Sequence, residues 1–138
     1  MATKISSKGM ALQLSIATVF TSIACLDTIN APAPKVQTVD TSCLDTPTGL
    51  EHKPTGWVDG GACSGSGFLD PVEATHKALT ALITAPAVAS WKVKWSDVAA
   101  TVWPFNGTLD EFAPTGKVGD FVRFNFNITL DGIVTYPV

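Results

Sequence analysis

Two histidines, three cysteines and a scatter of carboxylates are what this chain has to offer for chemistry. His76 stands three residues after Glu73, a spacing that puts both on one helix face as half of a metal site, but no second half exists in the sequence. His52 sits between Glu51 and Lys53. Both histidines read as surface residues. Cys25, Cys43 and Cys63 form no Cys-x-x-Cys pair, so a zinc site has no support. Their odd number fits reduced, partly buried thiols, with a Cys43–Cys63 bridge as the alternative for a secreted protein. Asp40, Asp45, Asp59 and Asp70 are too scattered for a calcium loop and fit turn edges better. Ser64-Gly65-Ser66-Gly67 lacks the strand, sharp turn and helix that expose a nucleophilic serine. No phosphate loop or zinc-protease helix motif is present. The expectation is a protein with no catalysis, no metal and no cofactor.

The elements that would position any site are mostly strands. Candidates are Ala11–Ile16, Val19–Ile29, Lys35–Thr41, Gly61–Leu69, Ser90–Ser96, Thr101–Leu109 and Phe121–Leu130, with a short one at Ile133–Tyr136. Alternation is sharp at Trp91, Val93 and Trp95, and sharper at Val122, Phe124, Phe126, Ile128 and Leu130, with Arg123, Asn125, Asn127 and Thr129 between them. That pattern places one face on a core and the other in polar surroundings. One helix is predicted from Asp70, as N-cap, through Pro71 and a capping-box Glu73 to Thr84, with Ala78, Leu79, Leu82 and Ile83 as its apolar stripe. A single helix can cover a curved sheet but cannot form a core. The fold class is therefore mainly β, an antiparallel β-sandwich or rolled sheet with one flanking α-helix. With 138 residues and no linker or repeat, residues 1–138 read as one domain.

Composition limits the partners. Charged residues make up 15% of the chain, against about 25% in typical soluble domains, so much of the surface is expected to meet protein. The net charge of −3 and the lack of a basic run argue against a sequence-reading DNA binder. No stretch reaches the roughly 20 apolar residues of a membrane span. Lys4, Lys8 and Ser22-Ile23-Ala24-Cys25 faintly suggest a lipoprotein signal, but Gln13, Ser15, Thr18 and Thr21 interrupt the apolar run and fit strands instead.

The segment at about 42–60 is expected to be a long loop, far above the median of about 4–6 residues. It carries Leu44, Asp45, Leu50, Glu51, His52, Lys53, Trp57 and Asp59. Apolar anchors with singly spaced charges suit a loop that docks on another copy and sets its register. Trp91, Trp95 and Trp103 read as core, and Trp57 as the intersubunit anchor.

Val39-Asp40-Thr41-Ser42, Leu44-Asp45-Thr46-Pro47 and Asp59-Gly60-Gly61 carry a resemblance, with Ser7-Lys8-Gly9 before them. Phe20-Thr21-Ser22-Ile23-Ala24, Phe68-Leu69-Asp70-Pro71, Trp103 to Leu109 and Val118-Gly119-Asp120 extend it in order. Together they resemble the major tail tube proteins of long-tailed phages over nearly the whole chain. The resemblance implies a structural subunit of the virion tail, made in the host cytoplasm. It implies hexameric rings stacked into a hollow tube through which DNA passes without sequence recognition. It also implies a tape-measure protein, a tail terminator and baseplate proteins as partners, and no membrane. Two rivals stand beside it: a secreted lipoprotein or adhesion-type β-sandwich, and the tube subunit of a contractile, type VI-like injection machine.

Overall fold

The computed structural model describes residues 3–44 and 49–136. Its elements follow in the order β1 (Ala11–Ile16), β2 (Val19–Ser22), β3 (Leu26–Asn30), β4 (Lys35–Asp40), β5 (His52–Asp59), β6 (Ala62–Phe68), α1 (Ala74–Thr84), β7 (Val88–Lys94), β8 (Val102–Thr115) and β9 (Arg123–Leu130). Seven strands form one antiparallel sheet ordered β2-β1-β7-β8-β9-β6-β3, and β4 and β5 form a separate ribbon. The large sheet rolls until β1, next to one edge, touches β3 at the other. The Ile23 N–H extends the β1–β2 hairpin by donating to the Leu12 carbonyl at 2.9 Å.

Alternation fills the roll. Leu12 and Leu14 of β1, Trp91 and Val93 of β7, Phe105 and Leu109 of β8, and Phe124, Phe126 and Ile128 of β9 are all buried on its inner face. Each large apolar side chain taken out of water contributes about 1.5–3 kcal/mol. Trp91 also has its indole N–H satisfied, donating to the Gly107 carbonyl at 3.1 Å. Trp95 and Trp103 are partly buried and meet edge to face, with ring centroids 4.8 Å apart.

Strand β6 explains the Gly/Ser run. Ser64 and Ser66 point out, while Cys63, Gly65 and Gly67 point in, and Gly65 and Gly67 lie opposite Phe126 and Phe124. A Cβ on Gly65 would sit 2.8 Å from the Phe126 ring and 2.4 Å from the Thr28 carbonyl oxygen. The glycines are there because aromatic rings and a neighbouring backbone occupy the space a side chain would need.

Several predicted elements change. The strand expected at Val19–Ile29 is two strands, broken where Cys25 takes a left-handed φ of 59°. Strand β8 runs past Leu109 to Thr115 through a register shift between Leu109 and Glu111, an irregularity that hides the period of two. Ile133–Tyr136 is not a strand; Val134 is buried there and the Thr135 N–H donates to the Pro104 carbonyl at 3.0 Å.

The helix starts three residues later than expected, at Ala74 rather than Pro71, and Glu73 makes no side-chain cap. Asp70 instead caps the preceding turn, accepting the Val72 N–H at 3.1 Å. His76 accounts for the shift. It is buried rather than on the surface, and its Nδ1 accepts the Asp70 N–H at 3.0 Å, leaving Nε2–H to donate to the Ala24 carbonyl at 2.8 Å. Beside it the Thr75 hydroxyl accepts the Ala24 N–H at 3.2 Å. Two consecutive helical residues thus pin the turn before β3. Of the predicted stripe, Leu79 is fully buried, Leu82 partly so, and Ile83 is exposed.

Candidate assembly interface

The ribbon projects from the end of the roll where β3 finishes and β6 begins. At its base the Asp59 carboxylate accepts the Gly61 N–H at 3.0 Å. Gly60 packs so tightly that a Cβ would fall 2.0 Å from the Gly132 carbonyl oxygen. Lys35 pairs with Asp59, Val36 with Val58, Thr38 with Pro54, Val39 with Lys53 and Asp40 with His52. Between Val36 and Thr38 β4 advances two residues while β5 advances four, from Val58 to Pro54. Gly56, with φ at 87°, lies within the resulting bulge, next to Trp57. Bulges re-aim side chains, and this one presents Trp57 to solvent, 75% exposed.

The expected loop at 42–60 is therefore mostly strand in its second half, because β5 occupies His52–Asp59. Pro54 and Gly56, both poor strand formers, concealed it. Every residue of β4 and β5 is exposed. Between them the Thr41 N–H donates to the Glu51 carbonyl at 2.9 Å, and the Ser42 hydroxyl bonds the Glu51 backbone N–H. The backbone N–H and the hydroxyl of Ser42 hold the Asp40 carboxyl below its usual range.

The structure brings Glu51, His52, Lys53, Trp57 and Asp59 together along one strand and its approach. Leu44 and Leu50 stand fully or largely in solvent at the ribbon's far end. Asp45 lies outside the described residues.

Sequence reasoning missed a second apolar feature at the opposite end of β6 and β9. Phe68, Leu69, Phe121 and Val122 line an open cleft of about 490 Å³. Phe121 is 79% exposed and meets Phe68 edge to face at 6.0 Å. The Arg123 guanidinium lies over the Phe68 ring, 4.5 Å from its centroid. Val122 was expected to face the core, but β9 begins only at Arg123, and Val122 is exposed. The adjacent pair Phe121-Val122, breaking alternation at the strand's start, was the available signal.

The outer face of the roll is polar and nearly neutral. Ser64, Ser66, Asn125, Asn127 and Thr129 lie side by side there. Arg123 is tied to Asp27 at 2.7 Å, and the Ser66 hydroxyl and Arg123 lower the Asp27 carboxyl. Among the described residues no cluster of three potential metal ligands occurs. Burial pushes the Cys63 thiol up to about 12, so it is not a nucleophile near neutral pH. Among those residues no helix is long and apolar enough to cross a membrane.

Residues 3–136 match the family described as phage tail tube, TTP, lambda-like. The chain belongs to that family. This tail tube protein shares its fold with several tube assemblies. It superposes on the tail of an empty gene transfer agent particle, described with C6 symmetry, with a TM-score of 0.81 at 15% identity, covering 98% of this chain and 100% of that one. Against the SPP1 tail tube the TM-score is 0.73 at 11% identity, covering 98% and 81%. Against a chain of the anti-feeding prophage baseplate it is 0.78 at 8% identity, covering 98% and 96%. At such identities these likenesses show the fold alone. No curated protein matches by sequence. The tail tube protein is a structural subunit of a virion tail, and the lipoprotein reading falls away. The likeness to contractile machines is one of fold, and the family match separates this chain from them.

Proposed function

We propose that six copies of the chain close into a ring and that rings stack through the β4–β5 ribbon into a hollow tube that conducts DNA. The observation carrying this reading is that both ribbon strands are exposed along their whole length, with Leu44, Leu50 and Trp57 in solvent. An isolated two-stranded ribbon is marginal in water, so neighbours must supply what the roll does not. Charges at Glu51, His52, Lys53 and Asp59 then set register at the rim of the contact. Ring closure also removes the free edges of a large sheet. The Ser, Thr and Asn outer face supports a lumen that lets a phosphate backbone slide rather than stick. The tail tube protein has no enzymatic role in this scheme. It assembles in the host cytoplasm around a tape-measure protein, with a terminator and baseplate at the ends. All 138 residues act as one domain.

Negative-stain microscopy of the purified protein tests the scheme, together with a variant whose residues 44–57 are replaced by a short Gly/Ser turn. The unaltered protein should form tubes, and the variant should stay folded without forming them. Tubes of normal length from the variant would remove the ribbon from the stacking contact.

A further inference from the structure

Strands β6 and β9 pair from Ala62 with Thr129 to Phe68 with Arg123. At one end of this ladder Gly61 and Gly60 lead into the ribbon that carries Trp57. At the other end the Phe68, Leu69, Phe121 and Val122 cleft opens to solvent. The two features are separated by seven paired residues, roughly 20–25 Å at about 3.4 Å per residue. A projecting apolar element and an apolar cleft at opposite poles are what a head-to-tail contact needs: it cannot close on itself and so propagates.

We infer that the cleft lined by Phe68, Leu69, Phe121 and Val122 is the receptor for the Trp57 ribbon of a second copy of this chain in the next ring. This rests on the stacked-ring reading proposed above. The ring also explains why the contact is small. A buried Trp side chain removes about 150–250 Å² from water, too little to hold two single subunits together. Six such contacts sum to roughly 900–1,500 Å² per ring face, above the about 800 Å² per partner of a stable interface. Simultaneous contacts then add by avidity, so stacking begins only once rings exist. Beside the cleft, Arg123 lies over the Phe68 ring and is paired with Asp27. The Phe121 ring, largely in solvent, supplies the surface that docking would cover.

The test uses the full chain. Phe121→Ala and Trp57→Ala alter exposed side chains, so both variants should fold and form rings, yet need at least a tenfold higher protein concentration than the unaltered chain to form tubes. Subunits carrying Trp57→Cys are then mixed with subunits carrying Phe121→Cys, both with Cys25→Ser and Cys43→Ser, and treated with a short bis-maleimide. A cross-linked dimer that appears in the tube fraction and is absent from unstacked rings is the expected result. Tubes of the mixed cysteine variants, assembled above their raised concentration threshold, that give no cross-link, or Phe121→Ala or Trp57→Ala tubes forming at the unaltered concentration, would overturn the assignment of the cleft and leave stacked rings standing. Absence of rings and tubes from the unaltered chain would overturn the stacked-ring reading and the cleft with it.

Discussion

Strands β5 and β9 are both eight residues long and both antiparallel to a partner, but they end in opposite environments. Strand β9 buries Phe124, Phe126 and Ile128, and β5 buries nothing. The difference lies in what stands over each. Strand β9 is paired on both sides and faces the interior of the roll, where Phe112 stacks on Phe124 at 5.2 Å and His76 meets the same ring at 5.0 Å. Strand β5 has one partner and no layer above or below it. Alternating sequence creates a face to bury, and only a second layer turns that face into stability.

Substitutions can break or sharpen this contrast. The largest effect is expected from Phe124→Ala, which empties the centre of the core and should cost about 3–5 kcal/mol. Denaturant unfolding of the soluble subunit measures it; a cost below about 1 kcal/mol would deny β9 its role. Next, Leu79→Ala should cost about 2–5 kcal/mol, clearly more than Leu82→Ala, because only Leu79 is fully enclosed. Equal costs at the two sites would mean that the helix sits differently on the sheet.

His76→Gln removes at least one of the bonds that tie α1 to the Ala24 turn and should cost about 1–3 kcal/mol, read from the thermal midpoint. Trp57→Ala on β5 should shift the stability of the unassembled subunit by less than about 0.5 kcal/mol. Ribbon amides should exchange quickly in that subunit and slowly in tubes, and slow exchange in both would end the contrast between the strands.

The smallest effect is chemical. Burial raises the Cys63 thiol from 9.0 to about 12, so its contribution to stability is intact below pH 9 and lost as pH rises toward 12. At mildly alkaline pH iodoacetamide should modify the exposed Cys25 and spare Cys63, with intact mass and peptide mapping as the readout.

Regular alternation made the central strands legible. Leu12 with Leu14, Trp91 with Val93, and the Phe124–Ile128 series each announce their buried face in the sequence. What stayed hidden follows from breaks in that period. Leu109 and Phe112 both belong to the core but stand three apart, because the register shifts between them. Gly65 and Gly67 are inward positions without side chains, so the strand expected at Gly61–Leu69 gave no sign of which face it buries. His76 looked like a surface residue because its partners, the backbone at Asp70 and Ala24, carry no side-chain signal. The ribbon residues Leu44, Leu50 and Trp57 were recognisable as too apolar for an idle segment. The strand under Trp57 was not, since Pro54 and Gly56 interrupt it. The cleft was missed because three of its residues, Leu69, Phe121 and Val122, lie outside any strand and come together only in three dimensions.

The nesting of the two hairpins bears on how the chain reaches its native state. Strands β3 and β6 pair with each other, and the whole β4–β5 ribbon lies between them in the chain. Bringing Asn30 to Ser64 directly means closing a long stretch of disordered chain, with an entropy cost that grows with its length. If the ribbon zips first, even transiently, it delivers those two residues to within reach of one another and the outer pair forms as its continuation. The segment that adds least to the finished subunit would then lower the barrier to making it. Shortening the ribbon should leave the unfolding rate nearly unchanged and alter the folding rate, a signature of a contact that matters in the transition state more than at the end.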